Sequence, residues 1–159
     1  MKDKDHGIVF CKEPIKNTNC YIEFKINMSS KSRGKSHLFI GIVDKSKYKL
    51  ENLISTFWKD SPSSYYWDVW GNKLVKTDEK GCQTASISGY GCQCEESSTT
   101  IGMIYSHADR SISFVKDGIN QGVAFKNIMQ GMYPSIDIWF ELGSVEIISD
   151  AIYKNKKYL

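Results

Sequence analysis

Cysteine and histidine have the widest chemical reach in this chain, and Cys92-Gln-Cys94 with Cys82 nearby is the spacing that first suggests a metal. A structural zinc is usually gripped by Cys-x-x-Cys pairs or by Cys and His together, because four donors must close a tetrahedron. The spacing here is Cys-x-Cys and no histidine lies close by. The five cysteines, Cys11, Cys20, Cys82, Cys92 and Cys94, therefore read as free thiols, and no metal site is expected. Their odd number also argues against a disulfide framework. Nucleophilic catalysis needs an activated Ser or Cys beside a base. His6 lies in a terminus, His37 at a strand entrance and His107 apart from both, and no Ser sits in a Gly-x-Ser-x-Gly elbow. Glycoside hydrolysis needs two carboxylates facing across a cleft. Glu95 and Glu96 are neighbours that a strand sends to opposite faces, while a Gly-containing turn separates Glu141 from Glu146. Asp117-Gly-Ile-Asn120 is too sparse for a calcium loop and reads as a turn. Phosphate and dinucleotide loops are missing. The expectation is a chain without catalytic residues or a cofactor.

Charge narrows the partners further. The net charge of +3 is small, and Arg33 and Arg110 are the only arginines. Nucleic-acid readers favour Arg for bidentate contacts, so nucleic acid is not the expected ligand. The lysines are scattered (Lys31, Lys35, Lys45, Lys47, Lys49) apart from a cluster at Lys154, Lys156 and Lys157, and they read as a solvated surface. No apolar run approaches the ~20 residues that cross a bilayer as a helix, so no membrane partner is expected. The start, Met1-Lys-Asp-Lys-Asp-His-Gly, lacks the apolar core of a secretory signal, which points to the cytosol or nucleus.

The elements that must position any site read as strands. With 159 residues, 41% of them hydrophobic, the chain suits one domain that folds on its own core. Tyr21-Ile-Glu-Phe-Lys-Ile26 alternates, aiming Ile22, Phe24 and Ile26 at a core and Glu23 and Lys25 at water. Leu38-Phe-Ile-Gly-Ile-Val43 is a continuous apolar run suited to a strand covered on both faces, and Ile101-Gly-Met-Ile-Tyr105 is similar. Ser111 to Phe125 reads as a hairpin in which Asp117-Gly118 takes positive φ at both turn positions. Ile112 and Phe114 share one face of its first arm, as Val123 and Phe125 share one face of its second. Met132 to Ile138 and Val145 to Ile148 supply two more strands, with Pro134 at a strand start or on an edge. Lys49 to Trp58 carries Leu50, Leu53, Ile54 and Phe57 at helical spacing, but it is short and weakly capped, so it reads as a helical turn or ordered loop. Many short strands between turns predict an all-β sandwich of two antiparallel sheets.

Three stretches resemble the SPRY domain family over about Tyr21 to Ile147. They are Tyr21 to Ile26 with Phe39-Ile-Gly-Ile-Val43; Thr100-Ile-Gly-Met-Ile104 with Ser111-Ile-Ser-Phe-Val-Lys-Asp-Gly118; and Gly122-Val-Ala-Phe125 with Met132-Tyr-Pro134. The middle of the chain is most similar to the subgroup that carries a SOCS box, and F-box-linked SPRY domains share much of the pattern. Tyr65-Tyr-Trp-Asp-Val69 falls where that subgroup has Trp-Gly-Trp-Asp-Leu, and Arg33-Gly34 matches its Arg-Gly. The resemblance implies a bent, concanavalin-like jelly-roll sandwich. Residues 1–20 then form a lead-in that can join the first strand, 21–149 the domain, and 150–159 a tail or linker.

The implied function is non-catalytic: binding a short peptide segment of a partner through loops at one end of the sandwich. The parent role would be substrate recognition within a larger protein such as a ubiquitin-ligase adaptor. Carried over by position, the peptide site comprises Asp44, Ile54, Phe57, Trp139, Phe140 and Glu141. The subgroup has Thr at Asp44, Tyr at Ile54 and Val-Trp-Gly at Trp139-Phe-Glu141. Asp44 and Glu141 add negative charge there and Trp139 offers an aromatic face, so the expected peptide carries a Lys or Arg near an apolar residue. Trp67 is expected in the core, whereas Trp58 and Tyr66 are candidates for exposed anchors. The domain is expected to act as a monomer, and the alternative reading is a lectin-like carbohydrate-binding sandwich.

Overall fold

The computed structural model describes residues 6–28, 37–48, 62–91, 98–139 and 143–152. They form eleven strands: β1 (His6–Phe10), β2 (Cys20–Met28), β3 (His37–Val43), β4 (Ser64–Asp68), β5 (Lys73–Thr77), β6 (Gln83–Ser88), β7 (Ser98–Ser106), β8 (Ser111–Lys116), β9 (Ile119–Phe125), β10 (Tyr133–Trp139) and β11 (Gly143–Ile152). One 3-10 turn, Lys45–Lys47, follows β3. All pairings are antiparallel, in a six-stranded sheet ordered β1-β10-β3-β4-β5-β6 and a five-stranded sheet ordered β11-β2-β7-β8-β9. The chain is an all-β sandwich of two antiparallel sheets. Among the described residues no helix is long and apolar enough to cross a membrane.

Alternation sets the core. Ile22, Phe24 and Ile26 of β2 are buried against Leu38, Ile40, Ile42, Trp67, Met103 and Phe114, while Lys25 is exposed. The unbroken apolar run of β3 has a second use. Phe39 and Val43 point to the outer face, where with Tyr66 they form a separate buried cluster backed by Ile8, Phe10, Tyr48 and Tyr133. The first arm of this arrangement comes from the lead-in, because β1 pairs along β10 from His6↔Trp139 to Phe10↔Ser135. Gly41 keeps β3 close to its neighbour, since a Cβ there would overlap the Tyr65 carbonyl. Pro134 is the second residue of β10, and its carbonyl accepts from Cys11 N at 2.8 Å.

The hairpin turn forms as its sequence predicts, with φ of +47° at Asp117 and +82° at Gly118. Asp117 also ties the turn to β7, where its carboxylate accepts from Thr99 Oγ1 at 2.9 Å and Thr100 N at 2.8 Å. The second arm departs from simple alternation. Ile112 pairs with Phe125 but Ser113 pairs with Val123, so Ala124 is an inserted residue and the faces invert. Phe125 is buried and Val123 is 52% exposed, not on the same face as alternation suggested. Tyr66 is a second correction. It is fully buried rather than an exposed anchor, because β3 and β5 flank β4 and the outer cluster covers it. Trp67 lies in the core, against Phe114 at 5.4 Å and Tyr90 at 5.7 Å between ring centroids.

Candidate functional site

Asp44 leaves the end of β3 and starts the 3-10 turn. Its Oδ1 accepts from Ser46 N at 3.0 Å and Ser46 Oγ at 2.6 Å, and its own N–H donates to the Ser63 carbonyl at 3.1 Å. The carboxylate is therefore held in place by the turn it caps. The next residue, Lys45, folds back so that Nζ stands 5.1 Å from the centroid of Tyr133 and 5.8 Å from that of Phe10. Both distances lie within cation–π reach. Tyr48 closes the group edge-on to Phe10 at 5.2 Å. The strands explain the gathering: Tyr133 opens β10 opposite Val43, and Phe10 ends β1 opposite Ser135. The result is a half-buried aromatic surface that carries the Lys45 ammonium, with Asp44, which caps the turn, next to Lys45 in the chain.

Beneath it lies a buried polar layer. Ser135 Oγ donates to Tyr66 Oη at 3.1 Å, and burial, more than its neighbours Tyr48 and Asp137, holds the Tyr66 phenol well above its usual range. Asp137 stands between Ile8 and Phe39 in register, and its side chain is buried with no hydrogen-bond partner for Oδ2 among the described residues. That burial pushes its carboxyl up to about 7.

The six expected site residues do not all meet here. Trp139 pairs with His37 while Tyr133 pairs with Val43, so Asp44 and Trp139 lie at opposite ends of the β3–β10 pair. At about 3.3 Å per residue the separation is roughly 20 Å. Ile54, Phe57, Phe140 and Glu141, together with Trp58, lie outside the described residues. The residues flanking the segment 49–61, Tyr48 and Pro62, are on the Asp44 side.

One feature had no sequence signal. Between the sheet edges made by β1 and β11, the lead-in forms one wall of a cleft of about 390 Å³, lined among others by Phe10, Cys11, Ile15, Cys20, Ile22 and Ile147. Alternation could not have found it, because a segment without strand periodicity builds that wall. Cys82 is an exposed free thiol, and Cys11 and Cys20 are half-buried beside the cleft. Cys92 and Cys94 lie outside the described residues, and among those described no three His, Cys, Asp or Glu side chains gather as metal ligands.

The sequence model of the SPRY domain matches residues 19–147, most of the chain. The chain belongs to the SPRY domain family. Members are in general protein-interaction modules without catalytic activity. Solved structures agree on the fold. A human SPRY domain is 21% identical, with a TM-score of 0.67 over 92% of this chain and 86% of its own. The SPRY domain of human HERC1 is 16% identical, with a TM-score of 0.61 over 94% and 86%. The potassium-bound carbohydrate recognition domain of Emp46p is 15% identical, with a TM-score of 0.57 over 90% and 75%. No curated protein sequence matches this SPRY domain. At these identities the structures establish the jelly-roll sandwich of the SPRY domain and nothing about its ligand.

Proposed function

We propose that this SPRY domain is a non-catalytic module that binds a short peptide segment of a partner protein at the Asp44 end of the β3–β10 pair, the peptide carrying a Lys or Arg beside an apolar residue. The observation that carries this reading is Lys45, whose ammonium already stands over Tyr133 and Phe10 with Asp44 alongside. A surface that attracts its own cation can accept one from a ligand, which would replace Lys45 over the rings and keep Asp44 as counter-ion. Ile54 and Phe57 are proposed as apolar contacts on the same side. Trp139, Phe140 and Glu141 reach the same ligand only if it runs extended for about six residues, given the roughly 20 Å between the ends. The similarity of Tyr65–Val69 to the SOCS-box subgroup extends the proposal to an intracellular role, as the substrate-recognition part of a larger protein such as a ubiquitin-ligase adaptor.

A carbohydrate reading draws on the Emp46p likeness, but a sugar-binding sheet face needs exposed aromatic and amide groups. Here Phe10, Tyr48 and Tyr133 gather at a strand end, and on the outer face of the five-stranded sheet Tyr21 is packed with Ile104 and Val115. This supports peptide over glycan. The test is selection from a random-peptide display library with the wild-type domain, Asp44→Asn, Asp44→Ala, Trp139→Ala and the pair Asp44→Ala with Glu141→Ala. Asp44→Asn keeps the acceptor for Ser46 and removes only the charge. Enrichment of a Lys- or Arg-containing motif that Asp44→Asn loses is the expected result. Equal enrichment by every variant, or binding on a glycan array with none on peptides, would overturn the assignment.

A further inference from the structure

At the β6 edge of the six-stranded sheet no further strand pairs among the described residues. β6 pairs only with β5 among the described strands, and nearly every residue from Gln83 to Ser88 is exposed. The hydrogen bond from Gly89 N to Asn72 O at 2.8 Å fixes the phase of the ladder. With Ser88 opposite Lys73 and Ser86 opposite Val75, those two serines form the non-hydrogen-bonded pairs with β5. Their backbone N–H and C=O groups therefore point outward, away from the sheet. Between them Ile87, opposite the buried Leu74, is 56% exposed beyond the rim of the core.

Open edges usually carry charge, proline or a bulge that blocks further pairing. β9 is broken by two register shifts, and Gly122 within it has φ of +88°. β11 is shifted between Ile147 and Ser149 and carries Glu146. β6 has one shift at its start and is regular from Ala85 to Ser88, with no charge and no proline from Gln83 through Gly91.

We propose that β6 is a self-association edge that pairs antiparallel with β6 of a second copy across a two-fold axis at Ile87. In that register Ser86 and Ser88 exchange all four outward backbone hydrogen bonds with Ser88 and Ser86 of the other copy. Ile87 meets its own copy in the close, non-hydrogen-bonded position. The strand is thus its own complement, and with no charged residue it brings no like charges together. β1, the other short edge, lacks this property. Centred on Val9, it would set Lys12 against His6. A single added strand pair buries little area, so the dimer is weak and governed by concentration. The edge is distinct from the Asp44 surface, and the two proposals stand or fall separately.

Sedimentation velocity of the full chain over a wide concentration range, with Ile87→Lys and Ile87→Cys, tests this. The weight-average mass of the wild type should rise with concentration and that of Ile87→Lys should not. Ile87 is an exposed side chain, so an unchanged circular dichroism melt is expected for the variant. Opposed Cα atoms of a non-hydrogen-bonded pair lie about 4.5 Å apart, within disulfide reach. Mild oxidation of Ile87→Cys should therefore give a mass-mapped 87–87 link, whereas Ser86→Cys, diagonal to its copy, should give almost none. A wild type that stays monomeric while Ile87→Cys gives no 87–87 link would overturn the proposal. So would a dimer that Ile87→Lys leaves intact, or a β6 edge that pairs with an added extended peptide but never with itself.

Discussion

Replacing Asp137 by Asn should make the domain more stable at pH 8 and almost no different at pH 4. Asp137 is only 4% exposed, and among the described residues no hydrogen-bond partner faces its Oδ2. Burial raises its carboxyl from the ordinary 3.8 to about 7. The folded state therefore holds this proton across an interval in which the unfolded chain has released it. Stability is fully present below the unfolded value near 4 and falls as pH rises through the folded value near 7, because ionisation then costs the folded state alone. A gap of about three pH units, at about 1.4 kcal/mol each, amounts to roughly 4 kcal/mol as an upper bound. Asn has nearly the same shape and no charge to desolvate. Urea denaturation of both proteins from pH 4 to pH 8 should show a stability difference that grows by up to about 4 kcal/mol in favour of Asn, with most of the change between pH 5 and pH 7.5. A difference that stays constant with pH, or grows toward acid, would mean instead that the carboxyl titrates normally or has a cationic partner.

Three further outcomes follow from single contacts. Gly41→Ala should cost about 3 kcal/mol or more in chemical denaturation, since its Cβ would overlap the Tyr65 backbone across β3 and β4. Tyr90→Phe should cost about 1–2 kcal/mol, because Tyr90 Oη donates to Gly122 O at 2.7 Å and accepts from Phe114 N at 3.2 Å. A thermal melt reads that loss. Asp117→Ala should cost roughly 2 kcal/mol, by removing the acceptor of Thr99 Oγ1 and Thr100 N and placing Ala at φ +47°. Asp117→Asn should recover part of it in the same assay, since Asn tolerates that conformation.

Strands that alternate between core and solvent were legible in the sequence, as were those buried on both faces. β2 showed its inward set directly, β3 announced two covered faces by its unbroken run, and the β8–β9 turn followed from Asp117-Gly118. β6 was not legible. Gln83-Thr-Ala-Ser-Ile-Ser88 has no buried face, so no hydrophobic period marks it, and only the partner strand β5 makes it a strand. The bulge that turns Val123 outward was hidden for a related reason: one inserted residue inverts alternation without changing composition. The site was the least legible part. Which loops share an end depends on the register between β3 and β10, strands far apart in the chain, and that register separates Asp44 from Trp139. The aromatic surface at Asp44 also depends on Phe10, from a lead-in whose sequence carries no strand alternation.

In the proposed function a ligand cation takes the place of Lys45 over Tyr133 and Phe10 beside Asp44. Backbone and side-chain NMR shifts, followed while a library-selected Lys- or Arg-containing peptide is titrated into the full chain, test it most directly. The Lys45 Nζ-bearing methylene and the Tyr133 and Phe10 rings should shift first. Asp44→Asn should weaken the binding curve by roughly two- to fivefold, as expected for one partly exposed charge. Shifts confined to the Trp139 end or to a sheet face, with Lys45, Tyr133 and Phe10 unmoved at saturation, would contradict it.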